Sequence, residues 1–184
     1  MKMTKIILVA VFAGLVSNAN AITPYFSAGG SLGIGGGDSS VRSGGFSGTV
    51  GVRYKLADIN MRTEFEYNNL VFNKKYTYAS NEYDYDLKTQ LYLVNVLADI
   101  YGNVLKSGLH FGISVGAADY KRDLPEYWDI DNRDKLSFVY GATAGVGIYM
   151  LAGLYADVGV RYLRTLDDDA IDSFNPYFGL RYGF

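Results

Sequence analysis

The chain has 184 residues but no cysteine, one histidine, one tryptophan and three prolines. Without cysteine there is neither a disulfide framework nor a thiolate metal site. With His110 alone, histidine-based catalysis has little to draw on. Beyond residue 21 no apolar run approaches the roughly 20 residues that a spanning helix needs. The longest candidate, Leu91 to Ile100, is broken by Asn95 and Asp99. A basic surplus is missing too. Without Lys2 and Lys5 the 17 basic residues fall to 15 against 19 acidic ones, a net charge of −4. Nothing there supports nucleic-acid binding.

What is present begins with an export signal. Lys2 and Lys5 precede the apolar run Ile6 to Val16, and Ser17-Asn18-Ala19-Asn20-Ala21 supplies a small-x-small end. That is a secretory signal peptide, cut after Ala21, so residues 1–21 are removed and 22–184 form one domain. No lipobox cysteine follows, which excludes a lipoprotein. The remainder is rich in glycine (22), tyrosine (17) and phenylalanine (10). Glycine weakens ordinary strands, but it suits strands that curve around a crowded interior.

The last eleven residues show the pattern most plainly. Phe178, Leu180, Tyr182 and Phe184 alternate with Tyr177, Gly179, Arg181 and Gly183. Strand side chains have a period of two, so one face is large and apolar and the other small or charged. The same alternation predicts strands at Pro24–Ile34, Phe46–Leu56, Ile59–Tyr67 and Leu87–Ile100, then from Leu109, from Phe138, from Leu154 and at the C-terminus. In the fourth strand Leu87, Thr89, Leu91, Leu93 and Leu97 are expected outside and Lys88, Gln90 and Tyr92 inside, with a bulge near Asn95. Long connections at 35–45, 68–86, 119–135 and 164–173 alternate with short ones. The fold class expected is all-β: an eight-stranded antiparallel up-and-down transmembrane β-barrel, both termini periplasmic, long loops outside the cell. In hydrocarbon every backbone donor must be paired within the protein, so strands span only as a closed cylinder.

Eight strands enclose an interior just wide enough for side chains to fill it. The predicted inward charges are Arg53, Lys55, Arg62, Glu64, Glu66, Lys88, Asp157, Arg161 and Arg181. Unpaired charges in that space are costly, so a ladder of ion pairs and water bridges is expected. Phe26, Tyr54, Tyr67, Tyr162, Tyr182 and Phe184 are expected to form interfacial girdles.

The export signal, eight strands, inward Gly-x-Gly pattern, Gly159-Val160-Arg161-Tyr162 and terminal Phe184 together resemble the opacity-type surface proteins. These stand among the small eight-stranded outer-membrane barrels of the OmpA-like and OmpX-like kind. The resemblance implies the bacterial outer membrane, contact with its lipid and lipopolysaccharide, and insertion by the barrel assembly machinery. That machinery reads a C-terminal aromatic strand, here Phe178, Leu180, Tyr182 and Phe184. It further implies a role in adhesion, host interaction or envelope integrity.

No catalytic, cofactor or metal residue is expected. A lipid-trimming barrel hydrolase would need a His–Ser–acid group facing lipid, whereas His110 points inward and position 112 is Gly112. The Gly-rich segment 35–45 lacks the Gly-Lys-Ser/Thr ending of a phosphate loop. Two acidic clusters, Asp129, Asp131 and Asp134, and Asp167, Asp168, Asp169 and Asp172, lack the glycine turn and distal glutamate of a calcium loop. Tyr76, Tyr78, Tyr83, Tyr85, Tyr127 and Trp128 are the candidate loop contacts, since such side chains give large amphipathic area at modest entropy cost. The alternative function is a narrow porin-like channel for ions or small polar solutes.

Overall fold

In the computed structural model the described residues are 20–35, 42–78, 81–101, 107–122, 135–166 and 172–184. They form eight strands: β1 (Asn20–Gly35), β2 (Arg42–Leu56), β3 (Ile59–Tyr78), β4 (Asn81–Tyr101), β5 (Gly108–Arg122), β6 (Lys135–Leu151), β7 (Leu154–Thr165) and β8 (Asp172–Gly183). Each pairs with its sequence neighbour, and β8 returns to β1, closing an antiparallel barrel. Closure leaves no open edge around the wall, as a lipid-facing sheet requires.

Strand direction puts the start of β1, the end of β8 and the β2–β3, β4–β5 and β6–β7 connections at one end, and the other four connections at the opposite end. Ala57, Ala152 and Gly153 have positive φ, at 53°, 46° and 82°. Two-residue hairpins need that hand of backbone to match the strand twist. The Gly153 carbonyl then accepts a bond of 3.0 Å from the Gly183 amide, tying the β6–β7 turn to the closing strand.

The two faces are inverted relative to a soluble protein. Leu32, Val50, Ile113 and Phe178 point outward and are between 59% and 65% exposed, whereas Arg62 and Arg181 are 2% exposed inside. Two aromatic clusters mark the outer surface. Phe26, Tyr182 and Phe184 meet near the chain ends, with ring centroids 5.4 to 6.0 Å apart. Phe46, Tyr67 and Tyr92 meet toward the opposite end at 6.4 and 5.5 Å. Tyr54, on the outer face by register, is buried and bonded to Thr63 at 3.0 Å.

Three expectations need correction. Residues 68–86 are not a long loop: β3 and β4 run on as a ladder to Tyr78 opposite Asn81. The tyrosines there alternate at a period of two, which is strand patterning in a polar segment. The facing of β4 is reversed, so Thr89, Leu91, Leu93, Asn95, Leu97 and Asp99 are inward and buried, while Lys88 and Tyr92 lie outside. Asn95 and Asp99 share a parity, and placing both in lipid costs several kcal/mol; the leucines follow them inward. The register passes Asn95 without a bulge.

Candidate functional site

The lumen is stacked in layers from the chain-end side. In the first layer the Arg53 and Arg181 guanidiniums lie 5.2 and 4.4 Å from the Tyr155 ring, and Tyr149 meets that ring edge-on at 5.3 Å. Arg181 also stands 5.6 Å from the Tyr25 ring. A guanidinium is attracted to the negative face of an aromatic ring, so cation and ring close the space together.

The second layer is an ion-pair network. Arg62 is its centre: Nε lies 3.0 Å from Asp99, and Nη1 lies 3.2 Å from Glu64 and 3.8 Å from Asp157. Asp157 is clamped by Arg181 through two bonds of 2.7 and 3.1 Å, the bidentate fork that guanidinium geometry favours. Glu64 also accepts from the Tyr25 hydroxyl. Asn95 Nδ2 bridges Glu64 and Glu66 at 3.3 and 2.8 Å, and Arg161 donates to Glu66 at 2.6 Å and to Thr143 at 3.2 Å. His110 Nε2 bonds the Tyr177 hydroxyl, and Arg161 lies 5.4 Å from the Tyr177 ring.

Inward glycines set aside room for these groups. A Cβ on Gly147 would meet Asp157 Oδ1 at 2.8 Å, one on Gly145 would meet His110 Nε2 at 2.6 Å, and one on Gly159 would meet Tyr177 Oη at 2.6 Å. Within this layer lies a cavity of about 50 Å³ lined by residues including Ser31, Thr49, Arg62, Asn68, Thr143 and Arg161. That volume suits about three or four waters. Ser31 Oγ, Asn68 Oδ1 and Arg62 Nη2 are buried with no hydrogen-bond partner among the described residues.

The third layer is apolar. Leu70, Leu91, Leu93, Ala118, Val139 and Leu163 form one cluster on the β3–β7 side of the lumen, each 0 to 3% exposed, beside Thr89, Thr165 and Ser173. Side chains from β3, β4, β5, β6 and β7 meet there with no charge between them.

Of the nine charges expected inside, Arg62, Glu64, Glu66, Asp157, Arg161 and Arg181 come together in the network, and Arg53 stacks on its rim. Two do not. Lys55 sits past the wall beside the β2–β3 turn, 3.5 Å from Asp58 and half exposed. Lys88 is on the outer face, because β4 presents its other parity to the lumen. Asp99 and Asn95 belong to the network and were missed; their shared parity with the β4 leucines was the available signal. Phe178, Leu180, Tyr182 and Phe184 lie exposed on the outer face of the closing strand. Tyr76, Tyr78, Tyr83 and Tyr85 fall within β3 and β4. Tyr127, Trp128, residues 1–19 and the acidic residues 129–134 and 167–169 lie outside the described residues, while Asp172 opens β8 opposite Arg164.

No protein-family model matches this sequence, and no curated protein does. Solved structures do. Neisserial surface protein A is 16% identical, with 90% of this chain aligned to 100% of that one at a TM-score of 0.62. The N-terminal β-barrel domain of Pseudomonas aeruginosa OprF is 13% identical over 88% of this chain and 97% of that one, at a TM-score of 0.51. The fold is that of the small eight-stranded outer-membrane barrels. At these identities the likeness is one of architecture. The lumen layers described above are this chain's own residues.

Proposed function

We propose that this chain is an exported surface protein of the bacterial outer membrane that acts through its loop end, in adhesion, host interaction or envelope integrity. Residues 1–21 are the cleaved signal. The chain ends face the periplasm, and the barrel assembly machinery reads Phe178, Leu180, Tyr182 and Phe184. Outer-membrane lipid and lipopolysaccharide cover the apolar belt. The tyrosines at 76, 78, 83 and 85, with Tyr127 and Trp128, supply the contact area outside. One observation carries this reading: the outer wall is apolar while the lumen is filled, first by paired charges and then by leucines. A filled lumen leaves the exterior end as the working surface.

A second reading, a narrow pore, is favoured by the cavity of about 50 Å³ inside the charged layer. The apolar cluster narrows the lumen next to it. Single-channel recording from the refolded protein in a planar bilayer separates the two, once heat-modifiable gel mobility shows folding. A silent bilayer is expected. Steady, long-lived openings in most insertions would sink the closed-barrel reading and establish the pore.

A further inference from the structure

Pro176 stands in β8, a strand paired on both sides. A proline cannot donate to a ladder, so within sheets it is confined to edges, first residues and bulges. None of these applies here. β8 runs past Pro176 in an unshifted register with both neighbours. Its ladder with β1 extends from Tyr25 opposite Gly183 to Gly35 opposite Ser173, but the rungs at Leu32 and Gly33 are absent from it.

Parity shows which backbone group is left over. The Phe184 amide donates to the Pro24 carbonyl across the same seam. In an antiparallel pair every second rung exchanges both of its bonds, so the even-numbered residues of β1 and β8 turn their backbone groups toward each other. Leu32 and Pro176 belong to that set. The Leu32 carbonyl therefore faces a ring nitrogen that carries no hydrogen. A backbone acceptor within a membrane wall needs a donor from elsewhere.

The lumen side of the seam has room for one. A Cβ on Gly33 would overlap Ser43 Oγ and stand 2.7 Å from Asn175 Oδ1. Ser43 lies opposite Gly33 on β2, and the β1–β8 register sets Asn175 beside it on the other flank. Ser43 is 5% exposed and Asn175 3%, and neither oxygen has a hydrogen-bond partner among the described residues. The Asn175 amide nitrogen is already engaged, donating to Ser173 Oγ at 2.8 Å and to the Ser173 carbonyl at 3.3 Å. That leaves its oxygen turned to Gly33. The cradle is distinct from the cavity beside Arg62, whose lining includes none of Gly33, Ser43 and Asn175.

We propose that the β1–β8 seam binds one water molecule as a fixed part of the wall, on the lumen side of Gly33. The water donates to the Leu32 carbonyl and to Asn175 Oδ1 and accepts from the Ser43 hydroxyl. Three bonds are the usual complement of a buried water. None of the three oxygens is charged, so the site suits a neutral donor and not a metal ion. An anion is excluded, because two of the three oxygens can only accept. Pro176 removes the donor, Gly33 makes the space, and the water replaces the rung in the seam that turns the sheet into a cylinder.

A crystal structure of the refolded mature chain, at a resolution that shows ordered water, tests the site directly. One density peak is expected within about 3 Å of the Leu32 carbonyl, Ser43 Oγ and Asn175 Oδ1 together. An empty site, a direct Ser43–Asn175 bond, or a peak that reaches fewer than all three oxygens overturns the proposal. Two variants separate a water site from simple crowding. Pro176→Ala returns the missing amide, and hydrogen exchange at position 176 should be slowed at least tenfold relative to an unfolded chain. Free exchange there would show that the Leu32 carbonyl does not face this position. Gly33→Ala should lower the urea midpoint of the vesicle-folded protein, since the methyl takes the place of the water. In the Pro176→Ala background the same change should shift the midpoint by no more than half as much, because Leu32 no longer depends on water. An equal shift in both backgrounds would mean that Gly33 only makes room for Ser43, and the proposal would fall.

Discussion

The charged and apolar layers of the lumen fill the same cylinder by opposite means. In the charged layer Arg62 faces three carboxylates, and its neighbours Arg181 and Arg161 hold Asp157 and Glu66. Stability there depends on completeness, since removing one partner strands the others in a low-dielectric space. In the apolar layer the contribution of each leucine scales with the volume it fills, and no group depends on a particular partner. The layers differ also in what they exclude. Polar walls around a cavity of about 50 Å³ accommodate several waters, whereas the space beside the leucines, about 10 Å³, has room for one at most.

The largest effect should therefore come from Arg62. Arg62→Met keeps much of the volume but leaves Glu64, Asp99 and Asp157 without their central cation. About 3–5 kcal/mol of stability should be lost. Urea titration of the protein folded into vesicles, followed by gel mobility, measures this. A loss under about 1 kcal/mol would mean that water screens these carboxylates, and the contrast between the layers would collapse.

Leu93→Ala should cost about 2–5 kcal/mol, the usual range for a fully buried leucine. The two variants part company in conductance. Arg62→Met should stay silent in a planar bilayer, because the leucine cluster still narrows the lumen. Replacing Leu70, Leu93 and Leu163 together by serine should admit ions while the charge network remains complete. If the Arg62 variant conducts and the serine variant does not, the barrier lies in the wrong layer.

Much of this arrangement was legible in the order of residues. β2, β5, β6, β7 and β8 alternate so cleanly that their inward and outward sets follow from parity alone, because lipid and a narrow lumen tolerate different side chains. β4 was not legible by the same count. Leu91, Leu93 and Leu97 on one parity compete with Val94, Val96 and Ile100 on the other, so apolar counting has no preferred answer. Two polar residues decide it. Asn95 finds Glu64 and Glu66, Asp99 finds Arg62, and only partners on other strands show that. The continuation of β3 and β4 beyond residue 68 was hidden for a related reason. Tyrosines alternating with charges, with no apolar parity, resemble a polar loop until the unbroken ladder shows otherwise.

Gly147→Ala probes how tightly the charged layer is fitted. The new methyl would stand 2.8 Å from Asp157 Oδ1 and 3.1 Å from Arg181 Nη2, so the fork must shift. About 1–3 kcal/mol should be lost, as for overpacked cores. The double variant Gly147→Ala with Arg181→Ala should lose less than the two single losses added together, since both act on one ion pair. Additive losses would show that the glycine is there for the strand's curvature and not for the pair.

The smallest effects should come from the two lysines that parity alone placed inside. Lys88 is exposed on the outer face, and the half-exposed Lys55 faces a fully exposed Asp58 beside a turn. A solvent-exposed ion pair or polar contact contributes about 0–1 kcal/mol. Lys55→Ala and Lys88→Ala should accordingly refold with urea midpoints near that of the parent protein. Lys88 is the sharper of the two, because its position follows from the facing of β4. Had β4 turned its other parity inward, Lys88 would be a buried cation and its loss would rival that of Arg62. A cost of several kcal/mol for Lys88→Ala would therefore reverse β4, remove Leu91 and Leu93 from the lumen, and take the apolar layer with them.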